Sequence, residues 1–150
     1  MEIEIYTDEY FMKEALKEAV NAFNLSEVPV GAVVVCNNRI IGRGHNLTET
    51  LNDITAHAEM QALTAASAYL SAKYLKDCTL YVTLEPCIMC AGAIYWAQIL
   101  RLVFAASDSK KGYQLVDWPL LHPRTAVQSG LLSRDAGKLL TDFFEARRNR

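Results

Sequence analysis

At 150 residues the chain has the length of one ordinary domain, enough for a single core that buries about two-thirds of its unfolded surface. A composition 51% hydrophobic and 21% charged excludes a disordered chain, and no apolar run approaches the roughly 20 residues of a membrane span. A net charge of −2 excludes a protein that grips nucleic acid through a strong general positive field. Local patches remain open to it, at Lys110-Lys111 and at Arg147-Arg148-Asn149-Arg150. The start, Met1-Glu2-Ile3-Glu4-Ile5, is acidic and lacks the basic region of a signal peptide. Four cysteines, two of them at ligand spacing, suit a reducing cytosol better than a disulfide framework. The expectation is one cytoplasmic domain over residues 1–150 with no membrane partner.

Thr7 or Asp8 can cap a first helix whose apolar residues Phe11, Met12, Ala15, Leu16, Ala19, Val20 and Phe23 follow helical spacing, with Asn24 ending it. Ala32-Val33-Val34-Val35-Cys36 is a β-branched run fit for a strand buried on both faces. Asn37-Asn38 then turns the chain into Arg39-Ile40-Ile41-Gly42-Arg43. From Gly44 to Thr55 the chain is polar and reads as irregular. A second helix runs from about His57 to Ser71, with Met60, Leu63, Ala66 and Leu70 on one face. Cys78 to Thr83 reads as a third strand. It delivers the chain to Pro86 and a third helix, Ile88 to about Gln98, that is apolar nearly all round and so buried on more than one side. Arg101 to Ala105 is a fourth strand and Thr125 to Gln128 a short fifth, while Tyr113 to Pro123 carries no clear pattern. Ser133 can cap a last helix that ends in the arginines. This order gives a mixed five-stranded sheet flanked by helices, an α/β layer sandwich.

The chemistry sits where chain enters helix. Cys87 and Cys90, three apart and just after a proline suited to a helix entrance, can turn both sulfurs to one point. The positive end of the helix favours the thiolate form that binds metal. Two sulfurs are half of a tetrahedral site. The chain has three histidines, His45, His57 and His122, and His57 heads an apolar-periodic stretch of its own. One His and two Cys, with a fourth position left to water, is the count of a catalytic zinc site. A redox pair would sit directly after the first strand, and a closed structural site would want a fourth ligand that neither Cys36 nor Cys78 is placed to give. Glu59, two residues from His57, adds a carboxylate beside the metal. Residues two apart do not share a face within a helix, so the metal is expected off the helix N-terminus, where both can lean toward it.

At Val28-Pro29-Val30-Gly31-Ala32, Thr55-Ala56-His57-Ala58-Glu59 and Thr83-Leu84-Glu85-Pro86-Cys87-Ile88-Met89-Cys90-Ala91-Gly92-Ala93, the sequence resembles the bacterial tRNA-specific adenosine deaminases. His-x-Glu followed by Pro-Cys-x-x-Cys is the pattern of zinc deaminases of nucleobases. The likeness covers nearly the whole chain, to Asp142-Phe143-Phe144. It implies a three-layer α/β/α cytidine deaminase-like fold and a homodimer with one Zn2+ per chain. The implied substrate is the wobble adenosine of a tRNA anticodon stem-loop, an arginine tRNA, converted to inosine. It implies His57, Cys87 and Cys90 as ligands and Glu59 as the proton shuttle. Asn46 matches the asparagine that contacts the base, and Asp108 an aspartate near the ribose of the preceding nucleotide. Val30, Ala58 and Pro86 complete the candidate substrate-binding residues. The chain departs from the family in having Gly112-Tyr113-Gln114-Leu115 and Leu121-His122-Pro123-Arg124 where Gly-Ser and Asn-His pairs are frequent. Two other readings compete: a deaminase of free guanine, which Ala93-Ile94-Tyr95-Trp96-Ala97 resembles, and a non-catalytic zinc-stabilised RNA-binding module.

Overall fold

Strands apolar on both faces must be covered on both sides, and that requirement sets the layers. In the computed structural model, which describes residues 5–148, the central strands are β1 (Gly31–Cys36), β3 (Thr79–Leu84) and β4 (Arg101–Ala106). Val33, Val35, Tyr81, Val103 and Ala105 face one layer, against Phe11, Met12 and Ala15 of α1 (Asp8–Asn24) and Ala136 of α5 (Ser133–Arg148). Ala32, Val34, Leu80, Val82, Leu102 and Phe104 face the other, against α3 (Ala58–Leu70) and α4 (Ile88–Ala97). β2 (Arg39–His45) and β5 (Ala126–Ser129) form the edges. The strand order is β2-β1-β3-β4-β5, with β1 antiparallel to both neighbours and β3, β4 and β5 parallel. This is the expected three-layer α/β/α fold on a mixed five-stranded sheet. No described helix is long and apolar enough to cross a membrane.

Thr7 caps α1, its Oγ1 accepting from the Tyr10 N–H at 3.1 Å, and Asp8 and Glu9 complement the positive end of the helix. Three readings change. β2 continues through Gly44 and His45, which pair with Ala32 and Gly31, so His45 is in a strand and not a loop. The polar stretch after it contains a four-residue helix, α2 (Thr48–Leu51). Between Tyr113 and Pro123 the described structure is one 3-10 turn, Tyr113–Leu115. The acidic start Met1–Glu4 and the end Asn149-Arg150 lie outside the described residues.

The register places the site. The start of β1 and the ends of β2, β3 and β4 share one end of the sheet, where the Gly31 N–H donates to Thr83 Oγ1 at 3.1 Å. A side chain at Gly44 would collide with the carbonyl oxygen of Ala58, so glycine there lets β2 seat the first turn of α3. His57 and Glu59 are held through that contact.

Candidate active site

His57 and Cys87 occupy equivalent places in two helices. Each is the N-cap residue with extended backbone, His57 of α3 at φ −74°, ψ 157° and Cys87 of α4 at φ −75°, ψ 177°. A capping side chain ordinarily turns back onto its own helix. Neither does so here; both turn out toward one point. Cap and third-residue side chains adjoin at a helix mouth, so Cys87 as cap brings Cys90 beside it. His57 Nδ1 lies 3.6 Å from Cys87 Sγ and 3.4 Å from Cys90 Sγ. Among the described residues these three form the one such group, with ligand atoms within 4.8 Å of one another.

The donor set fits zinc. Zn–S and Zn–N bonds of about 2.3 and 2.05 Å at tetrahedral angles set nitrogen and sulfur about 3.6 Å apart, close to what is seen. Hydrogen bonding to Cys90 holds the Cys87 thiol down at about 4, with burial opposing and His57 helping, so this sulfur is a thiolate at neutral pH. The same bond, with burial, pushes Cys90 well up. Metal binding therefore has to displace a proton from the pair. Glu59 is the second residue of α3 and 4% exposed, its carboxyl set against His57 and Cys90. Burial pushes it up to about 7, against the pull of its own backbone N–H and of His57. A bound cation would add to that downward pull.

The other expected residues gather at the same end of the sheet. Asn46 directly follows β2 and is buried. Its N–H donates to the Val30 carbonyl at 3.1 Å, its Nδ2 to the Val28 carbonyl at 3.4 Å, and its Oδ1 accepts from the Thr48 N–H at 3.1 Å. Ala58 and Pro86 are buried, next in sequence to His57 and Cys87. Asp108 follows β4, and its Oδ1 accepts from the N–H groups of Lys110 and Lys111, each at 3.0 Å. His45 turns away, its Nδ1 2.9 Å from Glu18 Oε2, and His122 packs on Tyr95, so neither joins the metal group.

Sequence reasoning passed over two buried carboxylates. Glu27, fully buried, accepts from the Glu49 N–H (3.1 Å), the Thr50 N–H (2.6 Å) and the Thr50 hydroxyl (2.7 Å). It caps α2 from outside and so fixes the segment after Asn46. Glu85, 5% exposed, holds the loop after β4. The available signal was an acidic residue one or two places before a proline in an apolar stretch, at Glu27-Val28-Pro29 and Glu85-Pro86.

With this sheet and this centre the protein is a zinc deaminase of the kind that acts on nucleobases. The family described as the cytidine and deoxycytidylate deaminase zinc-binding region matches residues 5–106. The tRNA-specific adenosine deaminase of Aquifex aeolicus is 46% identical over 146 residues, 94% of this chain and 96% of that protein. The chain belongs to the tRNA-specific adenosine deaminase family. A solved structure from work on A-to-I editing by tRNA:A34 deaminases at the wobble position superposes with a TM-score of 0.82 at 43% identity, covering 87% of this chain and 99% of that one. The guanine deaminase of Bacillus subtilis shares the fold at a TM-score of 0.66 and 35% identity, over 96% of this chain and 95% of that one.

Proposed function

We infer that this protein hydrolyses adenosine to inosine at the wobble position of a tRNA anticodon, using one Zn2+ per chain held by His57, Cys87 and Cys90. One observation carries the reading: the 3.4 and 3.6 Å separations of that group stand in a chain 46% identical, nearly end to end, to an enzyme of that name. Zinc, when bound, supplies a Lewis acid that brings the pKa of water down to about 7. The side chains do the rest. Water adds to C6 of adenine and ammonia leaves. Glu59 carries the first proton that water gives up to the ring nitrogen, and then a second, from the hydroxyl now on C6, to the departing amine. A carboxylate free of the metal is needed for that traffic.

An anticodon loop suits such a site, because its bases splay out without melting a duplex. An asparagine side chain has two N–H donors and two lone pairs on oxygen. Asn46 uses one of each within the chain, leaving one of each for the base. Val30, Ala58 and Pro86 surround the base, and Asp108 accepts from the ribose 2′-OH of the preceding nucleotide. Arg147 and Arg148 supply phosphate contacts. Phe143 packs on Phe23 in the last turn of α1, ring centroids 6.0 Å apart, and Arg147 lies over Phe143, so Arg147 neighbours the end of the helix from which the chain leads to Val30.

The enzyme is a cytoplasmic homodimer of one domain per chain, residues 1–150. α4 motivates the dimer. Its composition predicts burial all round, yet Ile88 and Trp96 are 56% and 72% exposed. A side chain at Gly92, between them at four-residue spacing, would meet nothing within 4 Å. A partner chain covers that stripe. Trp96→Glu is expected to yield monomers by sedimentation where the natural protein sediments as a dimer; a natural protein that is monomeric at micromolar concentration would contradict this.

Ammonia release separates the substrates. An arginine anticodon stem-loop with wobble adenosine is expected to turn over, free guanine and cytidine not, and Asp108→Ala should hurt the RNA stem-loop more than its deoxy counterpart. Release from guanine with the stem-loop untouched would establish the guanine reading, which rests on the weaker of the likenesses.

A further inference from the structure

We propose that Glu85 is a positioning residue that fixes the RNA-contacting loop to the metal-ligand turn, and that residue 112 is glycine to leave its carboxylate room. The RNA part rests on the substrate reading above. Glu85 stands between the end of β3 and Pro86-Cys87, and its N–H donates to the Ala106 carbonyl at 2.8 Å. Oε1 accepts from the N–H of Asp108 at 3.0 Å, and Oε2 accepts from the N–H of Gln114, also at 3.0 Å. One buried carboxylate thus closes the loop that carries Asp108, Lys110 and Lys111 at both ends. The Tyr113 N–H adds a bond to the Pro86 carbonyl at 2.9 Å, one residue from the ligand Cys87. Among the described residues no Lys, Arg or His forms an ion pair with Glu85. Its partners are two backbone donors that face it from opposite ends of one loop.

Two donors, one on each oxygen, need two acceptor atoms, which a carboxylate has and a carboxamide lacks. In Glu85→Gln one N–H group of the loop faces an NH2 group instead of an oxygen. Gly112 is explained by the same carboxylate. Its backbone, at φ −65° and ψ 148°, is open to any residue, so torsion does not require glycine. A Cβ at 112 would collide with both oxygens and the carboxyl carbon of Glu85. Any side chain there displaces the carboxylate from its two donors. The consequence falls on Asp108, whose N–H is one of them.

The experiment combines Glu85→Gln, Glu85→Ala, Gly112→Ala and the double variant Glu85→Ala/Gly112→Ala with zinc analysis, amide hydrogen exchange and kinetics on the adenosine stem-loop. Glu85→Gln is expected to keep its zinc and to exchange the Asp108 and Gln114 amides at least about tenfold faster, as befits donors that have lost a buried partner. KM for the stem-loop rises by about tenfold and kcat falls by less, since substrate placement suffers more than proton transfer. Gly112→Ala reproduces both changes alone, but adds less than about twofold once Glu85 is already Ala, because the colliding group is gone. Equal effects of Gly112→Ala in both backgrounds, unchanged exchange in Glu85→Gln, or a loss confined to kcat would each overturn the proposal. Should the natural enzyme not turn over the stem-loop while Glu85→Gln still frees the two amides, the role in RNA binding falls with the substrate reading and the bracket stands.

Discussion

Glu59→Gln is expected to fold, to hold zinc and to lose turnover of the adenosine stem-loop by about 10²–10⁴-fold, the range of a general acid–base residue. Glutamine has nearly the volume of glutamate, so a side chain 4% exposed keeps its packing. The proposed ligands His57, Cys87 and Cys90 are untouched, so zinc should stay at one per chain. What the amide cannot do is accept a proton and hand it on. Because the proposed mechanism has one residue serve both the ring nitrogen and the departing amine, the loss should lie toward the upper end of the range. It should appear in kcat with KM little changed, the pattern of a contribution made only in the transition state. Zinc analysis and the melting curve separate this from a damaged fold. A variant that keeps more than about a tenth of the natural rate would mean that another group moves the protons.

What could be read in the sequence was what local geometry decides. Cys87 and Cys90 take the cap and third positions of one helix and His57 and Glu59 the cap and second of another, so helix geometry alone turns each pair to a helix mouth. The β-branched run of β1 could belong only to a strand covered on both sides. What could not be read depends on partners far along the chain. α2 has four residues and no side-chain cap from its N-cap residue Leu47, and Glu27, 22 and 23 residues earlier, holds the N–H groups of its second and third residues. The loop after β4 is shaped by Glu85, 23 and 29 residues before the groups it binds. Gly44-His45 has the composition of a loop and is a strand because Gly31 and Ala32 lie opposite. α4 misleads differently: its composition reports burial all round, but Ile88 and Trp96 are exposed on this chain.

Cys90→Ser is expected to lose nearly all zinc and all measurable activity, and to melt lower than the natural protein. Cys90 is buried, and a serine hydroxyl there replaces a thiolate ligand with a poor one, leaving two protein ligands where the open site needs three. Zinc at about a hundredfold over its dissociation constant stabilises the folded chain by about 2.7 kcal/mol. For a domain of this size each kcal/mol corresponds to about 2–4 °C, so the melting temperature should fall by roughly 5–10 °C. Stripping zinc from the natural protein with a chelator should produce the same drop, and chelator should leave the Cys90→Ser curve where it was. The other two cysteines are the internal control. Cys36 ends β1, and Cys78, 1% exposed, immediately precedes β3; among the described residues neither joins the group of His57, Cys87 and Cys90. Cys36→Ser and Cys78→Ser should each keep one zinc per chain, whatever packing Cys78→Ser costs. A full equivalent of zinc in Cys90→Ser, or its loss from Cys36→Ser, would place the metal on other sulfurs and remove His57 and Glu59 from its neighbourhood.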